Sequence, residues 1–280
     1  QALSGATGSD LAKLTALAKE MGATTQFTAV ESGKALEYMA MAGWKTNQMI
    51  AGLPGIMNLA AASGEELGIV SDIVTDALTA LGMTADDTGR FVDVLAAAAT
   101  SSNTNVSGLG EAFQYVASTA GALGYTAEDL AVALGVMANS GVKGSQAGNS
   151  LKTALSRMAA PTTAMKSAMD QLGISMTDEY GNTKSLMEVM KNLRNSIGSV
   201  GVELVDADGN LREYEDIIAE LSKTTEGLSK VQQIEAASTI FGKNAMAGML
   251  SIVNATDADF QSLTESIYGS AGAAERMAAI

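Results

Sequence analysis

Apolar residues recur along the chain at three- and four-residue spacing, in short runs that stop at glycine. Phe91, Val94 and Leu95 share one such face, and Leu130, Leu134 and Met137 share another. That spacing predicts amphipathic helices. The runs end at Gly22, Gly43, Gly64, Gly82, Gly124, Gly141 and Gly173, which read as helix C-caps in the left-handed conformation. The starts agree. Thr28-Ala-Val-Glu31, Thr84-Ala-Asp-Asp87 and Thr126-Ala-Glu-Asp129 each set a threonine three residues before a carboxylate. The hydroxyl accepts from a free backbone N–H, and the acid faces the positive end of the helix dipole.

Two internal echoes add organisation. Ala80-Leu-Gly-Met-Thr-Ala-Asp-Asp87 returns 42 residues later as Ala122-Leu-Gly-Tyr-Thr-Ala-Glu-Asp129. Each copy is a helix end, a glycine stop, an apolar residue and a capped new start, so the two share a helical-hairpin design. The second echo has a spacing of 28. Asp178-Glu-Tyr-Gly-Asn182 precedes Leu186, Val189, Met190 and Leu193, and Asp206-Ala-Asp-Gly-Asn210 precedes Tyr214, Ile217, Ile218 and Leu221. Residues 174–177 and 202–205 before these turns read as short strands, and Asp with Gly-Asn between them is hairpin chemistry. The expected fold is mostly α: a multi-helix bundle of short Gly-capped helices with a small β insertion near residues 173–213. The expected divisions are a helical core with helical-hairpin repeats (1–172), two turn-plus-helix units with short strands (173–222) and C-terminal helices (223–280). Ile234, Ile240 and Phe241 before Gly242 mark the last of these.

Composition narrows the chemistry. The 280 residues include no Cys and no His, only 4% aromatics, 29 Gly, 16 Met and 48 Ala. That leaves this chain no thiolate, no imidazole base and no Cys- or His-based metal site. Thirty-one acidic residues against 17 basic ones give a net charge of −14. The bases are scattered and form no footprint for specific nucleic-acid binding. The longest mainly apolar stretch, Met49 to Ala62, contains Pro54 and falls short of the roughly 20 residues that span a bilayer. The chain does not begin with Met and reads as a piece of something longer.

Three constellations suggest sites and fall short. Asp206, Asp208 and Glu215 fit positions three, five and twelve of a calcium loop around Gly209, but Leu204 stands where the first carboxylate belongs. An ordinary Asp/Gly turn is the better reading, and no metal or cofactor is expected. Gly135 to Gly148, with Lys143, lacks the order of a phosphate-binding loop. It reads as a stop at Gly141 and a new helix from Gly144 or Ser145. Paired carboxylates for glycoside hydrolysis lack aromatic sugar platforms in a chain with one Trp. Trp44, directly after Gly43, reads as a lid on the core, and the methionines read mainly as gap-filling core.

Thr25-Gln-Phe-Thr-Ala-Val-Glu31, containing Phe27, Thr28 and Glu31, leads to Ala35-Leu36 and Ala42-Gly43-Trp44. Leu53-Pro54-Gly55-Ile-Met-Asn-Leu-Ala-Ala61 and Asp72-Ile-Val-Thr-Asp-Ala-Leu78 follow. Then come Ser101-Ser102-Asn103-Thr104-Asn-Val106, Ala138-Asn-Ser-Gly141-Val-Lys-Gly144-Ser-Gln-Ala-Gly148, Ala159-Ala-Pro161 and Phe241-Gly242. In this order, from about residue 21 to 245, the chain resembles the core region of phage tail tape-measure proteins. Two departures stand out. Asn149-Ser150-Leu151-Lys152 replaces a Thr followed by Leu-Arg, and the Asp-x-x-Gly-Asn unit occurs twice instead of once.

The resemblance implies a structural, non-enzymatic role in the tail tube interior of the virion, after assembly in the host cytoplasm. It implies tail tube protein, tail assembly chaperones and tail tip proteins as partners, together with self-association. Membrane contact would fall to flanking regions outside this chain. A ruler is a long unbroken helix, so the resemblance places it in flanking sequence as well. The competing readings are a carboxylate-based cell-wall hydrolase and a membrane-active segment aiding genome delivery.

Overall fold

Glycine stops and threonine starts cut the chain into helices largely as the spacing predicts. A computed structural model describes residues 7–197 and 228–278, and fourteen α-helices lie within them. α1 (Gly8–Thr24) and α2 (Ala29–Met41) lead into α3 (Thr46–Ser63). α4 (Leu67–Ala80), a 3-10 turn (Ala85–Asp87) and α5 (Thr88–Ser101) form one hairpin, and α6 (Val106–Ala122) with α7 (Ala127–Asn139) forms the next. α8 (Gly144–Ala159), α9 (Thr163–Gln171) and α10 (Leu186–Ile197) follow. The last four are α11 (Leu228–Phe241), α12 (Lys243–Asn254), α13 (Asp257–Tyr268) and α14 (Ala273–Ala278).

The hairpins stack side by side. α2, α4, α6 and α8 pack in succession as one layer, and α3, α5 and α7 pack as the other. α14 lies across α3 and α5, and α13 across α5 and α7, so the end of the described chain covers the second layer. The two echoed hairpins are therefore adjacent units of one stack. Their predicted apolar faces, from Phe91 to Leu95 and from Leu130 to Met137, are buried in it. α7 is buried from Ala127 to Ala138, as expected of a helix that is apolar nearly all round.

Five helices end alike. Beyond α2, α4, α6, α7 and α9, the amides of Trp44, Met83, Tyr125, Val142 and Ile174 each reach back five residues to a helical carbonyl at 2.9–3.0 Å. The glycine before each has φ between 66° and 87°, and the apolar residue after it turns into the core. Gly64 caps α3 in the same left-handed conformation. Gly22 departs from the expectation, because α1 runs through it to Thr24. A Cβ at Gly22 would lie 2.5 Å from Ala29 N, so this glycine lets α2 fold back tightly against α1. The end of α1 is instead held by Thr24 and Thr25, whose hydroxyls donate to Glu20 O and Met21 O at 2.8 and 2.7 Å. Trp44 is buried, with Gly52 clearing room for its ring: a Cβ there would approach Trp44 Cζ3 to 2.6 Å.

The expected β insertion is not supported. Among the described residues no strand forms, and Thr177 and Thr183 make a single isolated antiparallel bridge. The cause is local. The Asp178 carboxylate accepts from Tyr180 N, Asn182 N and Asn182 Nδ2 at 2.8–2.9 Å, closing the turn on itself. Pairing goes no further than Lys184 N donating to Met176 O at 2.9 Å, since Ile174 N completes the cap of α9 and the Ile174 and Met176 side chains are buried in the helical core. The second turn, Asp206 to Asn210, lies outside the described residues.

Close backbone approach holds the layers. A Cβ at Gly148 on α8 would collide with the Ala112 carbonyl of α6, and one at Gly110 on α6 would lie 2.6 Å from Ile73 of α4. Gly148→Ala is expected to lower stability by about 1–3 kcal/mol, the usual cost of overpacking. Gly33→Ala, at an exposed helical site with open space around it, is expected to raise stability by about 0.5–1 kcal/mol. Urea denaturation followed by circular dichroism measures both.

Candidate functional site

The family-motif residues gather mainly at helix ends. Phe27 is half-buried against the core beside the first turn of α2. There Thr28 Oγ1 accepts from Glu31 N at 3.2 Å, and Glu31 Oε2 accepts from Thr28 N at 2.7 Å. The Thr28 amide, and after it the Thr28 hydroxyl, hold the Glu31 carboxyl below its ordinary range. Gly43 sits in the C-cap of α2. Pro54 is exposed inside α3, and Gly55 faces α5, where a Cβ would touch Val92 at 3.4 Å.

Two motif loops meet at one end of the stack. Asn103 N donates to Asn139 Oδ1 at 2.8 Å, joining the Ser102-Asn103-Thr104 loop to the end of α7, just before Gly141. Asn105 caps α6 by accepting from Gly108 N at 2.8 Å. Across a polar hollow, the Glu111 carboxylate of α6 lies against Gly144 at the start of α8, where Lys143 is the N-cap residue. A helix N-terminus that already faces a carboxylate is not a site for a phosphate. The geometry is a clasp between helix ends.

Pro161 is exposed between α8 and α9, Phe241 is fully buried, and Gly242 N-caps α12 at φ 77°. The Arg157 guanidinium of α8 lies against Gly242, its Cζ 3.3 Å from where a Cβ would stand. Arg157 donates to Ile240 O at 2.8 Å and Thr239 O at 2.9 Å, holding the last carbonyls of α11. Lys152, at the place where the family pattern has Arg, is exposed. Asp206, Asp208 and Glu215 lie outside the described residues. Among the described residues no group of three carboxylates could hold a metal ion, and no helix is long and apolar enough to cross a membrane.

Sequence reasoning missed the arginines. Each of the four described arginines binds a helix end. Arg90 forks onto the buried Glu128, in the first turn of α7, at 2.6 and 2.7 Å. Arg194 donates to Ala255 O and Asp257 between α12 and α13, and its guanidinium lies 5.1 Å from the Phe260 ring centroid. Arg276 donates to Ala271 O at 2.7 Å. Carboxylates complete the ties. Asp93 on α5 accepts from Gly272 N and Ala274 N at 2.7 and 2.9 Å, capping α14. Asp129 accepts from Thr126 N, the Thr126 hydroxyl and, at 2.9 Å, the Tyr268 hydroxyl of α13. Arg90 and Glu128 stand 38 residues apart, and no local spacing signals such a pair.

Stacked helical hairpins, tied at their ends by hydrogen bonds and ion pairs, make a structural unit. Residues 15–201 match the family described as phage-related minor tail proteins, and the chain belongs to that family. It is 34% identical over 278 residues to a "Tape measure protein" of Pneumococcus phage Dp-1, covering 99% of this chain and 22% of that protein. It is 24% identical over 187 residues to a "Probable tape measure protein" of Escherichia phage P2, covering 67% of this chain and 23% of that protein. The chain thus spans less than a quarter of the length of either relative. No solved structure matches it.

Two measurements test the ties. Arg157→Lys keeps the charge and loses the fork, so stability is expected to fall by about 1–2 kcal/mol in urea titrations. Burial, and after it the Asp129 charge, push Tyr125 and Tyr268 up to about 12. The unfolded chain ionises near 10. The stability these phenols contribute is therefore intact below pH 10 and lost as pH rises towards 12. Phenolate absorbance is expected to show a late step for both, and Tyr268→Phe to leave only that of Tyr125.

Proposed function

We propose that this chain is the compact core region of a phage tail tape-measure protein, which sets tail length during assembly and is released during DNA ejection. The observation that carries the reading is the match to the Pneumococcus phage protein across 99% of the chain. The helix lengths support a division of labour. α3, the longest described helix at 18 residues, reaches about 27 Å at 1.5 Å per residue. Helices this short, folded back on one another, do not measure a tail. The ruler belongs to sequence outside this region, and the role here is structural, not catalytic. The tail tube interior is its place in the virion and the host cytoplasm its place during assembly. Tail tube protein, assembly chaperones and tail tip proteins are its partners, and it associates with its own copies.

A compact chain of 280 residues has a radius of gyration of about 19 Å and is roughly 48 Å across. A channel shaped for one DNA duplex is narrower than that, so the stack opens before it traverses the tube. Ser101 of α5 and Ser266 of α13 have hydroxyl oxygens 2.5 Å apart. The pair Ser101→Cys and Ser266→Cys therefore forms a disulfide in a chain that supplies no other thiol. Phage carrying the pair are expected to assemble and, when oxidised, to lose DNA release by at least tenfold, with recovery on reduction. Equal release by oxidised and reduced phage would refute the opening step.

A further inference from the structure

Two grooves on the described surface have mainly apolar linings. One runs between α1 and α2 past Leu11, Val30 and Leu36, with Lys19 and Glu37 on its lining. One charge of each sign selects no partner.

The other lies between α4 and α6, bordered by the end of α2, with a volume of about 710 Å³. Its accessible apolar residues are the half-buried Ile73 and, at the edge, Ile69 and Met41, 45% and 62% exposed, above the buried Ala77 and Phe113. Gly110 lets α6 approach Ile73 closely, since a Cβ there would lie 2.6 Å from it. All charges on its lining are negative: Asp72 and Asp76 on α4, and Glu111 on α6. Asp72 and Asp76 make no ion pair or hydrogen bond through their carboxylates among the described residues, and Glu111, whose carboxylate also borders Gly144 of α8, makes no ion pair. Asp72 is held above its ordinary pKa by burial and then by the charge of Asp76. Along α4 the lining runs from Ile69 to Ala80, about 17 Å, which is the length of three helical turns.

A groove with an apolar edge, two unpaired carboxylates along α4 and a third at its α6 border complements a helix with the reverse pattern. Asp72 and Asp76 are four residues apart, the separation at which two basic residues share one face of a helix. We propose that the groove between α4 and α6 docks a basic amphipathic helix of a partner protein, with its apolar face on Met41, Ile69 and Ile73 and its Lys or Arg side chains against Asp72, Asp76 and Glu111. The proposal rests on the groove's own residues and holds whatever role the chain has in the tail.

The test uses an 18-residue Leu/Lys amphipathic helical peptide as probe and a Leu/Glu peptide of the same pattern as control. The readout is methyl NMR of Met and Ile together with a fluorescence titration. The Leu/Lys peptide is expected to shift the Met41, Ile69 and Ile73 methyls and the Leu/Glu peptide to shift none. Asp72→Asn, Asp76→Asn and Glu111→Gln together are expected to weaken binding at least tenfold. The same charge change at the remote, exposed Glu20, Asp170 and Glu179 is expected to weaken it less than twofold. Equal loss in both triple variants, or shifts spread over the whole surface, would reduce the effect to general attraction by an acidic chain and overturn the proposal. So would equal binding of the two peptides. Met41→Ser with Ile69→Ser keeps the carboxylates and is expected to lose the peptide as well. If instead that pair dissolves an oligomer in sedimentation velocity, the groove is filled by a second copy of the chain and the proposal fails.

Discussion

Contact between backbones, made possible by missing side chains, is the constraint on which this fold depends. The chain holds 48 Ala and 29 Gly against twelve aromatic residues. Helices with so little side-chain volume reach close packing only by approaching one another closely. Gly148 lies against the Ala112 carbonyl, Gly110 against Ile73, and Gly121 on the Ala80 carbonyl. These contacts place α6 between α4 and α8 and so set the spacing of a whole layer. A large core side chain tolerates a small shift of its neighbours, whereas a backbone resting on a backbone does not.

Small interfaces leave orientation to the ends of the helices. Leucine-rich helices lock their register by interdigitation; alanine-rich ones have fewer knobs to do so. Here the register is carried by directional bonds at termini. Arg157 holds the last carbonyls of α11, Asp93 takes the first amides of α14, and Arg90 and Tyr268 satisfy two carboxylates buried in the first turn of α7. Each tie joins elements far apart in sequence. Each also answers an obligation that the helix end creates, because terminal amides and carbonyls need partners when buried. Among the described residues no buried side-chain N or O atom is left without a partner.

What was legible in the sequence follows the same division. Caps are local chemistry, so Thr28 with Glu31, Thr126 with Asp129, and the glycine stops from Gly43 to Gly173 could be read directly. Gly22 could not, because its reason is a neighbour, Ala29, that arrives only after the chain turns back. The strand reading of residues 174–177 failed for a related cause. Ile174 and Met176 have the alternation of a strand, but the cap of α9 takes the Ile174 amide and pairing stops at the single bond from Lys184 N to Met176 O. The motif residues were visible as a pattern without a purpose. That Asn103 should bond to Asn139, or Gly242 admit Arg157, depends on distances that no spacing encodes.

Ties at helix ends also shape how the stack would open in its proposed role. Load applied along a chain reaches a terminus before it reaches a helix interior. Arg90, with its side chain 53% exposed, and Asp257, at 96%, offer their bonds to water at once. Water reaches the open partner first, and a parted bond then exposes the covered one, Glu128 or Arg194, to solvent. Once α13 and α14 lift from α5, the second layer loses its cover, and the hairpins behind it are joined mainly by small contacts. Each hairpin then separates at a cost set by its own interface, as in stacked repeats. A core built on large interlocking aromatics would resist as a single block. Scarcity of large side chains, which obliges this chain to pack closely, also divides its stability into portions that can be removed one hairpin at a time.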